Sequence, residues 1–436
     1  MKYIYIRLLG IALALLVLQG CIPQNVNLAA PPNLYATGTN FPAEQVSIPL
    51  RTISPNIFFM TDRLVETDTQ GGFSYGLERS EAMVFGVADV QFGATDWDDL
   101  VDRTYVDRGG RISRLDVEAV REIVRFSEVP LGTRRANGAL VFDPQEEDTY
   151  EAQGRAFQAA IQEEIRRTGN KRVLVFAHGV GNGFEKSITT LANLWHFAGR
   201  ETIPIVFSWP AGNSGLLGYF RDREAGDFSV FHAKELLRLL ADIPEIDDID
   251  IVAHSRGTDV MTKALREQVI FYRGAGLPPK RAMKTGTLIL AAADLDTGVV
   301  RQRLRAERFA EAFEQINIYI NPGDGALQLS SFITAVPRLG AATSETLDRG
   351  ELEHLKKEEL IHFIRVENVR GGSHSYFRDN PAVLSDIVLA LRTRAFPGGT
   401  LRPLEVGEDG FWQLHPNYPL ERLPDLAGLK ELGSER

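Results

Sequence analysis

From about residue 150 onward, short and nearly continuous apolar runs alternate with longer segments in which apolar side chains recur every three to four positions. The apolar runs are residues 173–177, 203–208, 249–253, 286–292, 316–320 and 362–366, and the segments with helical spacing are 151–167, 185–197, 228–240, 299–313 and 381–391, with two more starting near 256 and 325. Strands that are buried on both faces have this continuous apolar pattern, and helices between them allow parallel pairing. The pattern predicts an α/β fold over residues 151–396, with a mostly parallel central sheet flanked by helices.

The residues before this core have a different pattern. Apolar runs at 56–60, 82–90 and 140–142 predict strands, whereas the charged stretches at 98–99 and 102–114 predict loops. Residues 51–150 are therefore expected to form a strand-rich extension that packs on the core.

Two further segments allow more than one interpretation. Residues 397–436 are rich in Pro, Gly and charged residues, and this C-terminal tail either packs back on the core or extends away from it. Residues 211–226 combine glycines with leucine and aromatic side chains. They form either a flexible lid or acyl-binding wall, or a plain surface loop.

The first twenty residues are predicted to be a secretory signal rather than part of the fold. Lys2 and Arg7 precede an apolar run at 8–18, which at 11 residues is too short to span a bilayer and has the length of a signal-peptide core. The sequence Leu-Gln-Gly then leads into Cys21 and resembles the lipobox of bacterial lipoproteins. An ordinary secretory signal followed by an incidental cysteine is the alternative.

The lipobox resemblance implies that Cys21 becomes the lipidated first residue and anchors the chain to a membrane of a bacterial cell envelope. An outer membrane is slightly favoured, because Ile22 is not an acidic retention residue. Residues 21–50 contain much Pro, Asn and Ala, and predict a flexible tether. Cys21 is the only cysteine, so the core contains no internal disulfide.

Composition narrows the function classes. The formal net charge of −10 and the lack of a basic block argue against a nucleic-acid partner. His and Cys residues do not cluster with metal-ligand spacing, and no phosphate-binding glycine loop of the Walker type is present, so neither a metal nor a cofactor is expected. The oligomeric state is not indicated.

Three segments predict catalytic chemistry. The apolar run at 249–253 leads directly into His-Ser-Arg-Gly, which is the pattern of a nucleophile elbow with Ser255 on a sharp strand-to-helix turn. Asp324 follows the run at 316–320 and His374 follows the last run, each in a loop that contains glycine. The order Ser, acid, His is that of α/β-hydrolases, so we predict Ser255 as nucleophile, His374 as base and Asp324 as the acid that orients it.

The acid has an alternative. Asp294 and Asp296 follow the preceding strand, where some lipases place their acid. Asp324 is favoured because, of the two strands followed by a candidate acid, its strand is the nearer to His374 in the chain. The other interpretation of Asp294 is a helix N-cap or a residue that organises a loop.

The glycine-rich segment after the first core strand predicts the oxyanion hole. His178 and Gly179 follow that strand directly, and glycines there allow the backbone to approach a substrate carbonyl closely. We assign the two donors to the backbone N–H groups of Val180 and Arg256. His178 and His254 flank the site, and we expect them to support backbone geometry.

Several of these segments together resemble a bacterial lipase-like group of α/β-hydrolases of unknown function. The core motifs are Phe-Ala-His-Gly-Val-Gly-Asn-Gly-Phe at 176–184, Phe-Ser-Trp-Pro at 207–210, Ala-His-Ser-Arg-Gly at 253–257, Leu-Ala-Ala-Ala-Asp at 290–294, Asp-Gly-Ala-Leu at 324–327 and His-Ser-Tyr at 374–376. The upstream motifs are Met-Thr-Asp-Arg at 60–63, Tyr-Gly-Leu-Glu-Arg-Ser at 75–80 and Phe-Gly at 85–86. The similarity covers roughly residues 55–395.

Four positions depart from that group. Ala253 stands where glycine is common, Val180 replaces an aromatic residue, Ala293 stands where proline is frequent, and Arg256 replaces a frequent methionine. The alanine is small enough for the turn to survive. Arg256 would place a cation beside the nucleophile and is expected to influence substrate charge preference. None of the four changes removes a predicted catalytic group.

The resemblance implies an α/β-hydrolase fold and a serine hydrolase that acts on a small ester or other acyl substrate through an acyl-enzyme intermediate. The alternative is a catalytically idle scaffold or binding protein of the envelope that has kept the fold.

Overall fold

The computed structural model describes residues 26–36, 40–67, 73–105, 113–213, 215–343, 359–367, 374–420 and 422. The predicted signal peptide, Cys21 and the last residues of the C-terminal tail lie outside this range. Helices long and apolar enough to cross a membrane do not occur in the described part of the chain.

The described strands are β1 Asn56–Thr67, β2 Phe73–Gln91, β3 Asp116–Arg125, β4 Thr133–Ala136, β5 Ala139–Phe142, β6 Arg172–Ala177, β7 Ile203–Ser208, β8 Asp248–His254, β9 Thr285–Ala291, β10 Gln315–Ile320, β11 Ile361–Val366, β12 Glu405–Val406 and β13 Trp412–Leu414. Eleven of these described strands form one sheet in the order β12-β13-β11-β10-β9-β8-β6-β7-β1-β2-β3, and β4 and β5 pair separately. The pairings from β1 through β7, β6, β8, β9, β10 and β11 to β13 are parallel, which confirms the predicted mostly parallel sheet.

The described α-helices are α1 Trp97–Tyr105, α2 Pro144–Thr168, α3 Phe184–Phe197, α4 Gly215–Ala241, α5 Gly257–Gly274, α6 Pro279–Met283, α7 Thr297–Val299, α8 Gly325–Thr334, α9 Tyr376–Asp379 and α10 Pro381–Thr393. Two apolar cores, one on each face of the sheet, are formed with these helices. Because both faces are covered, the central strands are buried along almost their whole length, and this explains their continuous apolar sequence.

The strand-rich N-terminal region is present, and it extends the main sheet. β1 pairs in parallel with β7, and β2 and β3 then add antiparallel strands at that edge. The prediction of a flexible tether is wrong for the described residues between 26 and 50. Leu34, Tyr35 and Phe41 are buried there, and the Tyr35 hydroxyl donates to the carbonyl of Phe197 at 2.5 Å.

The two charged stretches, which were predicted to be loops, and the segment at 211–226 are largely helical where the structure describes them. Residues 98–99 and the start of 102–114 belong to helix α1, because acids in its first turn and Arg103 in its last complement the helix dipole. Most of 211–226 is the first half of α4 rather than a loop. Gly226 packs against Val260, whose Cγ2 lies 3.1 Å from where a β-carbon would be. The glycine thus serves close packing and not flexibility.

The predicted helix at 299–313 is irregular. After α7 the chain makes a π-helical turn over Val300–Arg305 and a 3₁₀ turn over Phe309–Ala312. The C-terminal tail, where it is described, packs back on the core. β13 pairs with β11, and the fully buried Arg402 forms an ion pair with Asp386 at 2.7 Å.

Candidate active site

Ser255 lies on a strained turn between β8 and α5. Its φ is +53°, in the left-handed region that side-chain-bearing residues rarely adopt. The strand ends at His254 and the helix begins at Gly257, so the turn consists of Ser255 and Arg256 alone. The Ser255 N–H donates to the carbonyl of Ala291 at 3.0 Å, which ties the turn to the end of β9. This is the geometry that a nucleophile elbow requires.

Two glycines make the turn possible. A β-carbon on Gly257 would lie 2.3 Å from the His178 carbonyl oxygen, so only glycine lets α5 start this close to the preceding loop. A β-carbon on Gly179 would lie 2.6 Å from the Ser255 Cβ and 3.0 Å from its Oγ. The segment at 178–183, which we call the oxyanion loop, therefore runs directly beside the serine hydroxyl.

Asp324 and His374 are in direct contact. The His374 Nδ1 lies 2.7 Å from the Asp324 Oδ2, although the two residues belong to different loops. The carboxylate is fully buried, and its other oxygen accepts the N–H groups of Ala326 and Leu327 at 3.0 and 3.1 Å as the N-cap of α8. The cap fixes the orientation of the carboxylate, so the second oxygen points at the imidazole.

His374 is held next to the turn by two neighbours. The His254 Nε2 lies 2.9 Å from the His374 carbonyl oxygen, and the two rings have centroids 4.8 Å apart. The buried Tyr376 hydroxyl donates to the Tyr319 carbonyl at 2.9 Å and accepts the Ala292 N–H at 3.0 Å. These bonds join the histidine segment to the ends of β8, β9 and β10. Tyr376 belongs to the motif at 374–376, but no pattern in the sequence indicates these two hydrogen bonds.

The carboxylate of Asp294 contacts Tyr219, Ser330 and Arg338 and not the His374 imidazole. Its carboxylate accepts the hydroxyls of Tyr219 and Ser330 at 3.0 and 2.7 Å and forms an ion pair with Arg338 at 3.2 Å. All its oxygens thus have partners on other elements, and it organises the contact between α4 and α8. Asp296 caps α7, where it accepts the Gly298 N–H at 2.7 Å.

The N–H groups of Val180 and Arg256 do not donate to any acceptor among the described residues. Arg256 precedes the first turn of α5, where the helix dipole also favours negative charge. Arg256 was expected to place a cation beside the nucleophile and to influence substrate charge preference, but its charge is compensated inside the protein. The guanidinium is buried and forms an ion pair with Asp259 at 2.8 Å.

A fully buried arginine holds the oxyanion loop in place. Arg63, from β1, donates to the carbonyl of Asn182 at 2.8 Å and to that of Ala211 at 2.9 Å. It also donates to the carbonyl of Gly76 at 2.8 Å and to the Ser208 Oγ at 3.1 Å. Burial lowers the pKa of Arg63 to about 10, partly offset by nearby carboxylates. The motif at 60–63 contains this residue, but its contacts could not be predicted because most of its partners are distant in the chain.

Asp222 fixes the other side of the same loop. Its Oδ2 accepts the N–H groups of Gly181 and Gly212, both at 3.0 Å, and its Oδ1 accepts the side-chain amide of Asn213 at 2.7 Å. The carboxylate is fully buried on α4. Helix α4 thus holds the loop in position through the hydrogen bonds of Asp222.

The flanking histidines are neutral supports. Burial, followed by the charge of Arg63, lowers the pKa of His178 to about 3, and its ring stacks on Trp209 at 5.2 Å. Burial lowers the pKa of His254 well below its usual value. The His178 Nδ1 lies 2.9 Å from the Gly179 carbonyl oxygen, as the His254 Nε2 does from that of His374, so each ring contacts the backbone of the site.

These low pKa values, with that of His362, which burial lowers to about 4, predict that acid destabilises the protein. The unfolded chain takes up protons at these histidines below about pH 6.5 and the folded chain does not. Stability is therefore complete above pH 6.5 and decreases as the pH falls, by about 1–2 kcal/mol per histidine between pH 6.5 and 5. Urea unfolding at several pH values measures this slope.

His362→Leu should reduce that slope by about a third, since it removes one of three similar groups. The exposed His415 is the matched control, and His415→Gln should leave the slope unchanged. An identical slope in wild type and His362→Leu would contradict the assignment.

The described residues contain no group of His, Cys, Asp and Glu that could hold a metal ion. A serine on a left-handed strand-to-helix turn of a parallel sheet, with an acid–histidine pair on later strands in that order, defines an α/β-hydrolase architecture. The comparison with known families agrees. Residues 153–392 match the model of the family described as alpha/beta hydrolase of unknown function (DUF900), and the chain belongs to that family. No curated protein matches the chain closely enough to be counted as a relative.

Proposed function

We propose that this protein is a serine hydrolase that cleaves ester or related acyl bonds through an acyl-enzyme intermediate. The observations that carry the proposal are the Asp324–His374 contact of 2.7 Å and the 2.9 Å contact of the His374 carbonyl oxygen with His254, the residue before Ser255, whose φ is +53°. A serine hydroxyl is a weak nucleophile until an oriented base removes its proton. The buried carboxylate accepts the Nδ1 proton, which leaves Nε2 free to act as that base.

The proposed reaction has two halves. The Ser255 Oγ attacks the carbonyl carbon while His374 accepts the hydroxyl proton and then donates it to the leaving alcohol. Water, deprotonated by the same imidazole, next releases the acid and restores the serine. The free N–H groups of Val180 and Arg256 would stabilise the oxyanion in both halves, and loss of one such donor typically costs about 3–4 kcal/mol.

An apolar surface on α4 and α8 supports a lipid-like acyl substrate. Leu217 is 77% exposed and Phe332 is 84% exposed, one on each helix. The helices are joined between them by the Tyr219 hydroxyl, 3.0 Å from Asp294 and 3.1 Å from the Ser330 Oγ. Asp222 lies on α4 and Asp324 caps α8, so both helices that carry this apolar surface also contact the proposed site. A lipid anchor at Cys21, which we propose from the sequence, would place it near membrane lipid.

The test is covalent labelling of the folded protein with a fluorophosphonate, followed by peptide mass analysis. We expect one adduct, at Ser255, which the variant Ser255→Ala lacks. Ser208 is the matched control because it is a buried serine with hydrogen-bond partners, and it should not react. An unlabelled but folded protein would refute the proposal and favour the non-catalytic scaffold.

A further inference from the structure

A cavity of about 350 Å³ lies between the sheet and the irregular segment after β9. Leu290, Ile318 and Phe363 from β9, β10 and β11 form its floor, and Leu304 and Phe309 form its roof. Protein interiors leave few voids larger than a water molecule, whereas small-ligand pockets begin at about 300 Å³. Ser255, Asp324 and His374 are not among its lining residues, so this cavity is separate from the proposed catalytic site.

The charged side chains that line the cavity favour an anion. They are Arg301, Arg305, Arg308 and Glu311. Glu311 forms ion pairs with Arg308 and Arg273, and Arg301 has a polar partner of its own. The half-buried guanidinium of Arg305 has no hydrogen-bond or ion-pair partner in the described part of the chain. A partly buried cation beside an apolar space is stabilised when an anion binds to it.

The backbone of the roof is unusual. The π-helical turn over Val300–Arg305 carries both Leu304 and Arg305, and a 3₁₀ turn follows it. π-turns are rare, and they occur frequently at functional sites. Here the turn directs an apolar and a cationic side chain into the same cavity, although neighbouring positions of a helix point in different directions.

We propose that this cavity binds a medium-chain fatty acid, with the aliphatic chain between roof and floor and the carboxylate on Arg305. The lining supplies the two features such a ligand needs, an apolar space and, among the residues that the structure describes, a cation without a polar partner. The proposal does not depend on the proposed hydrolysis, because it concerns residues outside that site.

Calorimetric titration of the full chain with dodecanoate, below its micelle concentration, tests the proposal. We expect saturable binding of one molecule, and binding of dodecanol at least about tenfold weaker, since the alcohol lacks a charge-assisted hydrogen bond. Arg305→Gln should weaken dodecanoate binding by about tenfold or more. The matched control is Arg303→Gln, an exposed arginine of the same turn that does not line the cavity.

Leu304→Trp fills the cavity and should abolish dodecanoate binding, with thermal unfolding used to show that the variant is folded. Absence of saturable binding to the wild type would overturn the proposal. Equal dodecanoate affinity in wild type, Arg305→Gln and Leu304→Trp would also overturn it, because the ligand would then bind elsewhere.

Discussion

Asp324→Asn is expected to slow fluorophosphonate labelling and ester hydrolysis by about 10⁴-fold while leaving the fold intact. Asparagine retains a side-chain oxygen that can cap α8 through the N–H groups of Ala326 and Leu327. It replaces the oxygen that faces the His374 Nδ1 with an amide N–H₂ group, which favours the wrong imidazole tautomer. The free energy of unfolding should change by less than about 1 kcal/mol.

Asp294→Asn is the matched control, and it should reduce stability while leaving the labelling rate of the folded protein nearly unchanged. Its carboxylate forms an ion pair with the buried Arg338, and neutralising it leaves that cation without compensation. Removing one partner of a buried pair costs about 3–5 kcal/mol, so this variant should unfold at lower denaturant concentration. Its labelling rate, measured where it is folded, should remain within about tenfold of wild type, because Asp294 has no contact with His374.

The pair of variants separates the two candidate acids in one experiment. If Asp294→Asn lost activity by orders of magnitude and Asp324→Asn did not, the acid assignment would be reversed. Comparable losses in both would mean that the two carboxylates act together. Unfolding curves for both proteins are needed, since activity lost through unfolding would imitate a catalytic role.

The central sheet could be predicted because its physical signal is local. Strands β6 to β10 are buried along almost their whole length, so each appears in the sequence as a nearly continuous apolar run of five to seven residues, and helices separate most of them. The sharp turn at Ser255 could be predicted for the same reason. A strand, a sharp turn and a helix are contiguous in the chain, and the turn needs the small Gly257 just after it.

The elements that were missed are those in which a local pattern permits two structures. The acidic residues of α1 resemble a charged loop, yet Asp99 and Arg103 form an ion pair at 2.7 Å across one helical turn. The glycines of α4 resemble a flexible loop, but Gly218 approaches the Asn213 backbone closely, where a β-carbon would lie 2.6 Å from its carbonyl carbon. Tertiary packing decides both cases, and it is not visible in a short window of sequence.

The two residues that hold the oxyanion loop, Arg63 and Asp222, could not be predicted for a related reason. Arg63 reaches Asn182 across more than a hundred residues of chain, and Asp222 reaches Gly181 from a helix that the sequence did not predict there. Such contacts exist only once the sheet has formed. The family motif at 60–63 contained Arg63, but a motif alone does not reveal what a side chain contacts.

Arg63→Lys should reduce the labelling rate at Ser255 by about 10²-fold, because one ammonium cannot replace the planar guanidinium that holds Asn182 and the oxyanion loop. The variant keeps the charge near Asp222 and should fold, with a loss of about 1–3 kcal/mol for the hydrogen bonds that lysine cannot make. Stopped-flow labelling and urea unfolding measure the two effects.

Arg200→Lys provides the matched control. Arg200 is also fully buried, and burial lowers its pKa to about 9. It donates to the carbonyls of Leu50 and Thr52, both at 2.7 Å. Arg200 lies just before the start of β7, whereas Ser255 follows the end of β8, so the two residues are at opposite ends of the parallel strands. The same substitution should destabilise the protein to a similar extent and leave labelling of the folded fraction unchanged. Equal losses of labelling in the two variants would show that Arg63 acts on stability alone, whereas a loss confined to Arg63→Lys would establish it as a positioning residue of the oxyanion loop.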